Sequence, residues 1–480
     1  MQKKVLSSIG LVFVVNILIK PLWILVIDRG VQNTLGYEAY GEYAGMFSIS
    51  IILTMLLDFG INNYNSSTIA NNPESVTKQF SELVPLKILL SLLYLIATLV
   101  LAIVFGYDWS FLFLIAALAL NQILAHFSTF LRSSVSGLQL FKTDALLSAV
   151  DRLLMIALGV AMLWFNWFSV SIPHFIYIQT AGYAGVCLIV WFIVQPRLKH
   201  TKLTFNPALL KQLLQKTLPY ALLAFIMLLY SRTDVLLIKK MLTDGNYQNG
   251  VYASGGRLLE AVVMMVGAVS TVLLPVFARM FARNESVQPV ITMLVVLLLV
   301  PATALASVCS AYSWDILRLV SPDTDEYTSH VFSVLILSFI PYTAMYIFGS
   351  LLTAKGKLRT LIQICATALV FNIIVNVYSI PVWGAWGAAI AALITQTTVG
   401  FGKLTFSKIH IPDSLTPKIL VYIGTHIVIS ISGAFGLKYM DVPVIVALPV
   451  LLVWAVVFTA SMNIYSLRTL VAEARGLIKM

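Results

Sequence analysis

The sequence has 480 residues, of which 59% are hydrophobic and 11% carry a charge, and its mean hydropathy is +0.92. Since soluble domains carry about 25% charged residues, this composition excludes a soluble globular protein and indicates a membrane protein that is apolar along its whole length. The net charge of +11 does not indicate nucleic-acid binding, because the cytoplasmic loops of membrane proteins collect Lys and Arg. The cysteines lie in apolar segments and show neither a disulfide framework nor metal-ligand spacing.

Apolar runs of about 20 residues, long enough to cross a bilayer as helices, recur along the chain. The first run follows Met1-Gln2-Lys3-Lys4 in the manner of a signal peptide, but it shows no small-residue cleavage site, and we interpret it as a retained first helix. An all-α polytopic fold with about fourteen transmembrane helices is predicted, at 5–27, 40–62, 83–105, 109–131, 144–165, 172–194, 217–241, 250–278, 287–311, 329–353, 358–380, 384–404, 418–438 and 443–464.

Positive charge is distributed unevenly between alternate loops. With the N-terminus inside, the inner segments hold far more Lys and Arg than the outer ones, which are acidic. This bias predicts that both termini are cytoplasmic. It also places Asp28 and Arg29 in an outer loop and Lys403 at the inner end of a span, while Asp58 and Lys87 are interpreted as residues that snorkel near inner helix ends.

A basic segment at 196–216 divides the chain after the sixth predicted helix. Its leucines are spaced as on one helical face, which fits an amphipathic helix on the membrane surface, and a solvated linker is the alternative. The segment separates an N-terminal six-helix lobe at 1–195 from a C-terminal six-helix lobe at 217–410. Two additional helices and a tail occupy 411–480.

Two of the predicted helices open with the same short pattern. Gly41-Glu42-Tyr43-Ala44 and Gly250-Val251-Tyr252-Ala253 both read G-x-Y-A, and each follows a predicted outer loop. The second and eighth helices are therefore equivalent if the two six-helix lobes form a parallel pseudo-two-fold repeat. Such a repeat is a transporter architecture with the substrate site between its halves.

Four cations lie inside apolar runs: Lys20, Arg152, Arg232 and Arg257. A charged residue at the bilayer centre costs about 2.5–3.5 kcal/mol on insertion scales, so it usually faces the protein interior. The excess of these cations over nearby acids predicts a cavity that holds an anion. Two alternatives stay open, which are snorkelling of Lys20 to the outer surface and a structural ion pair of Arg257 with Glu260, three residues on.

Polar residues recur at helical spacing in both predicted lobes and indicate a hydrated interior. Hydrogen bonding between helices is the commoner meaning of such residues. The candidates for the lining of the cavity are Gln122, His126, Gln179, Asn372 and Asn376.

No catalytic set and no phosphate-binding G-x-x-x-x-G-K-[ST] motif is found in the sequence, and the scattered histidines suggest no metal site. A membrane-embedded glycan polymerase or ligase would need an acid, base or metal near a large outer loop. The largest predicted outer loop, at 312–328, carries Asp315, Asp323, Asp325 and Glu326. Because this loop is short, a transporter is favoured over an enzyme.

Several segments carry a recognisable pattern: YGEYAGMF at 40–47, LDFGIN at 57–62, YSRTDVLLI at 230–238, and GVYA at 250–253 followed by RLLE at 257–260. These segments resemble the Wzx-type flippases of O-antigen and capsule biosynthesis, in the multidrug/oligosaccharidyl-lipid/polysaccharide (MOP) superfamily. The resemblance implies a two-lobed bundle with a cationic cavity that turns a polyprenyl-diphosphate-linked oligosaccharide from the inner to the outer leaflet of the bacterial cytoplasmic membrane.

The resemblance also implies roles for particular residues. Diphosphate binding is implied for Lys20, Arg232 and Arg257, to which the intramembrane charge pattern adds Arg152. The implied energy source is an ion gradient of H+ or Na+, or the membrane potential, and no other cofactor is expected. The candidate coupling carboxylates are Asp58, Asp234 and Glu260.

The expected partners are the lipid-linked glycan, membrane lipids, and a polysaccharide polymerase or other assembly proteins. The resemblance also associates the two additional helices with the lipid tail.

A cation-coupled multidrug exporter of the same superfamily is the second hypothesis, but it would need a carboxylate-dominated cavity, whereas cations dominate here. A flippase that serves the O-antigen of lipopolysaccharide, or another surface polysaccharide, is therefore favoured.

Overall fold

The structure is a computed structural model that describes residues 18–198, 202–321, 324–462 and 464. Most of the first predicted helix, 5–27, lies outside the described residues. The chain divides into two compact units, Met1–Gly250 and Val251–Met480. The seventh predicted helix belongs to the first of these units, and the lobe boundaries expected around 196–216 stay a prediction.

The first unit is built from long α-helices joined by short turns. Its helices are α1 (Arg29–Ile52), α2 (Ile61–Asn71), α3 (Val76–Val104), α4 (Trp109–Gly137), α5 (Phe141–Leu163), α6 (Ile172–Val194) and α7 (Pro207–Met241). At the start of α7, Pro207 occupies the first turn and the Asn206 side chain accepts a hydrogen bond from the Leu209 N–H at 3.1 Å. Proline at the first position and a polar cap are local signals that start a helix.

The second unit is also helical, and it begins inside α8 (Gly245–Ala282). The remaining helices are α9 (Gln288–Leu294), α10 (Val300–Ala311), α11 (Ser313–Val320), α12 (Glu326–Leu337), α13 (Phe339–Ala354), α14 (Leu358–Trp383), α15 (Ala385–His410), α16 (Pro417–Tyr439) and α17 (Val444–Ser461). A π-helical turn, Val295–Leu299, joins α9 to α10. An apolar core packs these helices together around Phe277, Phe332 and Phe348.

Eleven of the described helices are long and apolar enough to cross a membrane, or up to twelve if a bent pair counts as one span. The described residues are helical throughout apart from short connections, so the predicted all-α, multi-pass membrane fold is confirmed. Helix α15 is not among the eleven, although a span was predicted at 384–404. Its Gly, Thr and Gln residues lower its hydropathy, and its small residues pack inside the unit, where Ala388 and Ala389 are fully buried.

The second predicted span, 40–62, is wrong as one continuous helix. Helix α1 ends at Ile52, a 3-10 turn covers Thr54–Leu57, and α2 begins at Ile61, so that the two helical segments are bent by 48°. Phe59 and Gly60 have φ angles of 41° and 72°. Positive φ is incompatible with an α-helix and is readily adopted by glycine, so the chain must break here.

Asp28 and Arg29 do not lie in an outer loop. A π-helical turn, Trp23–Asp28, leads directly into α1, which is kinked further along at Gly36 (φ 79°), and the two side chains are 3% and 4% exposed. The Asp28 carboxylate accepts a hydrogen bond from the Tyr40 hydroxyl at 2.8 Å, and Arg29 donates to the Gln32 side chain at 2.8 Å. Both charged groups therefore find polar partners within the first unit, which offsets the cost of burial.

The two G-x-Y-A glycines meet in the first unit, where the first turn of α8 packs on α1. A Cβ atom on Gly250 would lie 1.9 Å from the Tyr37 carbonyl oxygen, and one on Gly41 would lie 1.8 Å from the Asn246 carbonyl oxygen. The Gln32 side chain adds a hydrogen bond to the Gly250 carbonyl at 3.0 Å. At the two glycines of the shared pattern, the backbones of α1 and α8 are in direct contact. No residue larger than glycine can be accommodated at either position.

Candidate functional site

Four aromatic rings of the first unit form a row that we name the aromatic ladder: Trp23, Phe175, Tyr43 and Phe47. The Trp23 ring stacks on Phe175 with centroids 5.6 Å apart, Phe175 meets Tyr43 edge-on at 5.1 Å, and Tyr43 stacks on Phe47 at 5.7 Å. Tyr43 and Phe47 are four residues apart on α1, which puts both rings on one helix face. The ladder joins α1, α6 and the π-helical turn before α1.

Arg152, on α5, lies at the Trp23 end of the ladder. Its guanidinium carbon is 6.0 Å from the Trp23 ring centroid and 5.6 Å from that of Tyr183, and Nη2 donates to the Tyr183 hydroxyl at 3.2 Å. Its Nε atom is 3.9 Å from the Asp151 carboxylate. Aromatic faces attract a cation without neutralising it. The guanidinium is therefore oriented by rings and a hydroxyl and is not closed off by a bidentate carboxylate.

Arg232, on α7, lies at the other end of the ladder. Its guanidinium carbon is 5.8 Å from the Phe47 ring centroid, and its side chain is half-buried. Asp234, two residues on, is 2% exposed. Both residues make further polar contacts within the described chain. Helix α7 thus brings one cation to the ladder and buries one carboxylate.

The other two predicted cations belong to different units. Lys20 is half-buried in the helical residues before the π-helical turn, within electrostatic range of Arg152. Arg257 lies in the second unit on α8, where its Nη1 atom donates to the Glu260 carboxylate at 2.8 Å. The ion pair that the spacing of these two residues allows is therefore present. Three predicted cations belong to the first unit, and two of them touch the ladder.

The predicted polar lining residues of the first unit have different surroundings. Gln179 is buried and donates its Nε2 hydrogen to the Tyr43 hydroxyl at 2.9 Å, so it adjoins the ladder. Gln122 is half-buried on α4. His126, also on α4, lies within electrostatic range of Asp58. Only Gln179 of these three contacts the ladder through a hydrogen bond among the described residues.

In the second unit, the predicted polar residues take part in contacts between neighbouring helices. Asn372 on α14 donates to the Thr395 hydroxyl on α15 at 3.1 Å. Asn376, one turn further along α14, is fully buried. Gln396 on α15 donates to the Tyr342 hydroxyl on α13 at 2.8 Å. In this unit, polar residues therefore form hydrogen bonds between helices, which is their commoner role in membrane proteins.

Asp58 lies at the break between α1 and α2 and is paired with Lys87. The Lys87 Nζ atom is 3.2 Å from the Asp58 carboxylate, and the lysine side chain is 3% exposed. The interpretation of Lys87 as a snorkelling residue is wrong, because the ammonium is bonded inside the first unit. The physical reason is the helix break, which exposes polar groups that the continuous helix would have used.

Sequence reasoning also missed a buried cation in the second unit. Lys403 on α15 is 4% exposed and is not at an accessible inner end of a span. Its Nζ atom occupies the space next to Gly349 on α13, where an added Cβ would lie 3.3 Å away. A glycine gives the long side chain room, but Gly349 lies far from Lys403 in the sequence, so no local pattern could have indicated this contact.

The acids of the predicted outer loop have structural partners. Asp315 accepts a hydrogen bond from Lys438 at 2.6 Å, and Asp325 caps α12 by accepting from the Thr328 N–H at 2.7 Å. Glu326 lies 3.9 Å from the ring of His330. Asp323 lies outside the described residues. The described acids of this loop therefore stabilise helices, as solvated or capping residues commonly do.

The comparisons with known proteins concern the family and the fold. A family model described as "Polysaccharide biosynthesis protein" matches residues 5–281. No curated protein shows a significant match to the chain. Among solved structures, the lipid II flippase MurJ in an inward closed conformation aligns with a TM-score of 0.63 at 12% identity, over 95% of this chain and 97% of that chain.

Two MATE transporters are also similar in structure. An inward-facing multidrug resistance MATE family transporter of the MOP superfamily aligns with a TM-score of 0.60 at 14% identity, covering 83% of this chain and 98% of that one. A single-residue mutant of the Vibrio cholerae MATE transporter VcmN aligns with a TM-score of 0.56 at 15% identity, covering 86% of this chain and 98% of that one. At these identities the similarity establishes the fold alone.

Proposed function

Because the chain belongs to the polysaccharide biosynthesis protein family, we propose that it is a flippase that moves a polyprenyl-diphosphate-linked oligosaccharide from the inner to the outer leaflet of the bacterial cytoplasmic membrane. The family and the fold support the broader statement that the chain is a multi-pass transporter of the MOP type. In the proposed topology, both termini are cytoplasmic. The observation that carries the finer proposal is the aromatic ladder with an arginine at each end.

The ladder supports recognition of a diphosphate. A diphosphate cannot enter hydrocarbon unless protein donors replace its water, and guanidinium groups bind phosphate through paired N–H donors. Arg152 and Arg232 lie over ring faces, which lowers the cost of keeping a cation inside the membrane. Lys20 adds positive charge near Arg152. Arg257 is the fourth proposed ligand, although its guanidinium already forms an ion pair with Glu260.

The proposed transport cycle is alternating access. The lipid tail remains in the bilayer while the headgroup crosses. The energy source is proposed to be an H+ or Na+ gradient or the membrane potential. Of the candidate coupling carboxylates, Asp58 pairs with Lys87 and Glu260 with Arg257, and Asp234 has the least exposed side chain.

Transport in proteoliposomes tests the proposal. Purified protein is reconstituted with a fluorescent polyprenyl-diphosphate oligosaccharide, and its appearance in the second leaflet is followed by accessibility to a membrane-impermeant quencher. We expect translocation by the wild type and a strong loss with Arg152→Gln. Arg283→Gln, at a side chain that is 62% exposed, serves as the control and should translocate normally. Wild-type vesicles that move no glycan lipid would contradict the proposal.

A cation-coupled multidrug exporter is the second candidate, and the buried carboxylate of Asp234 is the observation that favours it. Such a protein would bind cationic drugs through that carboxylate and would not need Arg152. Drug efflux from cells that express the chain, abolished by Asp234→Asn and unaffected by Arg152→Gln, would favour this candidate over the flippase.

A further inference from the structure

One lysine closes the break between α1 and α2. In a continuous helix the Ile61 N–H would bond to the Leu57 carbonyl, four residues earlier. Here it bonds to the Asp58 carbonyl at 2.9 Å, and the Leu57 carbonyl accepts a hydrogen bond from Lys87 Nζ at 2.7 Å. The last carbonyls of a helix carry partial negative charge. The Lys87 ammonium therefore sits where the first helical segment ends and its dipole attracts a cation.

The Asp58 side chain completes the environment of this ammonium. Its Oδ1 atom accepts hydrogen bonds from Lys87 Nζ and from the Asn62 N–H in the first turn of α2, both at 3.2 Å. The Phe130 ring centroid lies 5.7 Å from Nζ on another side. Asp58 and His126 are the titratable groups within electrostatic range of Lys87 among the described residues. The carboxylate thus binds the cation and the start of the next helix together.

A helix-end carbonyl and a carboxylate are oxygen donors of the kind that a small metal cation can share at an interrupted membrane helix. Hard cations prefer carboxylate and carbonyl oxygens, and the carbonyl ends of broken helices bind Na+ in transporters. Here the position is taken by a positive group that belongs to the chain. We propose that Lys87 is a built-in cation that occupies a sodium-type site at the α1–α2 break, formed by the Leu57 carbonyl and the Asp58 carboxylate.

The consequence for transport is specific. While the ammonium is in place, the wild-type protein binds no Na+ at this break, so a Na+ gradient does not act here. This consequence rests on the proposed function, because it treats the cation as a coupling ion. The site itself is tested by ion binding, which is independent of glycan transport, so the two proposals can fail separately.

Thermal unfolding of the purified protein in NaCl and in choline chloride, at equal ionic strength, tests the site. A ligand that binds only the folded state raises Tm as its concentration rises. For Lys87→Met, which keeps a long apolar side chain, we expect Na+ to raise Tm by about 2–4 °C. The wild type should show no difference between the two salts. Adding Asp58→Asn to Lys87→Met should abolish the Na+ response.

Lys78→Met is the matched control, because Lys78 lies exposed on the same helix, α3. It should behave like the wild type, without a Na+ response. A Lys87→Met protein with identical Tm in both salts would overturn the proposal. If Lys87→Met does not fold, binding of radioactive Na+ to the wild type and to Asp58→Asn decides the question. Equal background binding by both supports the proposal, and Asp58-dependent Na+ binding by the wild type overturns it.

Discussion

The intramembrane arginines of the two compact units contact different kinds of side chain. In the first unit, Arg152 and Arg232 lie over aromatic rings at the two ends of the ladder. In the second unit, Arg257 donates to Glu260 at 2.8 Å, one turn along the same helix. A ring stabilises the cation and leaves its charge, whereas a carboxylate neutralises it. Because three of the four predicted cations lie in the first unit, we expect this unit to supply most of the attraction for an anion, and the Arg257–Glu260 pair, at 2.8 Å, to contribute mainly to stability.

The largest expected effect comes from a glycine that holds the ladder helix in place. Gly250→Ala puts a methyl group 1.9 Å from the Tyr37 carbonyl, so α1 and α8 must separate, at a cost of about 3 kcal/mol or more. Gly256→Ala, on the same helix and next to Arg257, has open space within 4 Å and should be tolerated. Thermal unfolding of both variants checks this. Equal Tm values would show that the close contact does not constrain the first unit.

Replacing arginine by lysine keeps the positive charge and removes the guanidinium, so it separates the effect of charge from that of side-chain geometry. At Arg152 and Arg232 the planar guanidinium lies over a ring, and lysine replaces it with a compact ammonium that cannot present paired N–H donors. We expect transport to fall by roughly 10-fold, which corresponds to about 1.4 kcal/mol. Arg257→Lys should keep most of the activity, because the new ammonium can still pair with Glu260. The glycan-lipid translocation rate distinguishes these variants, and a greater loss with Arg257→Lys than with the other two would reverse the assignment.

A double-mutant cycle measures the pair in the second unit. The Arg257 and Glu260 side chains are 15% and 31% exposed, so solvent screening limits their interaction to about 1 kcal/mol. Arg257→Ala and Glu260→Ala should each lower the free energy of unfolding, and the double variant should lose less than the sum of the two. Strict additivity in denaturant unfolding would mean that the pair contributes no coupling energy.

The smallest expected effect compares two similar hydrogen bonds. Gln179 donates to Tyr43 at 2.9 Å in the first unit, and Gln396 donates to Tyr342 at 2.8 Å in the second. Tyr43→Phe and Tyr342→Phe should each cost about 0.5–1.5 kcal/mol of stability. Only Tyr43→Phe should also slow transport, because Tyr43 belongs to the ladder. An equal change in transport for both variants would remove the functional distinction between the units.

The positions of the helices were predicted well from the sequence where a long apolar run determines the helix bounds. Helix α6 has the predicted bounds, 172–194, and the arginines stood out because a charge in an apolar run is costly. The break at Phe59 and Gly60 was not predicted, because the apolar run was extended across Asp58 and Gly60 to Ile61. The ladder could not be predicted either, since Trp23, Tyr43 and Phe175 come from distant parts of the chain and meet only after folding. Lys87 was misinterpreted for the same reason.

Direct binding of the lipid carrier tests the central claim, which is that the arginines of the first unit hold a diphosphate. The dissociation constants of a polyprenyl diphosphate and of the corresponding uncharged polyprenol are measured for purified wild-type protein and for Arg152→Gln/Arg232→Gln. We expect that the wild type prefers the diphosphate and that the double variant loses at least about 10-fold in affinity for it, with no change for the polyprenol. Equal affinity of both proteins for the diphosphate would contradict it.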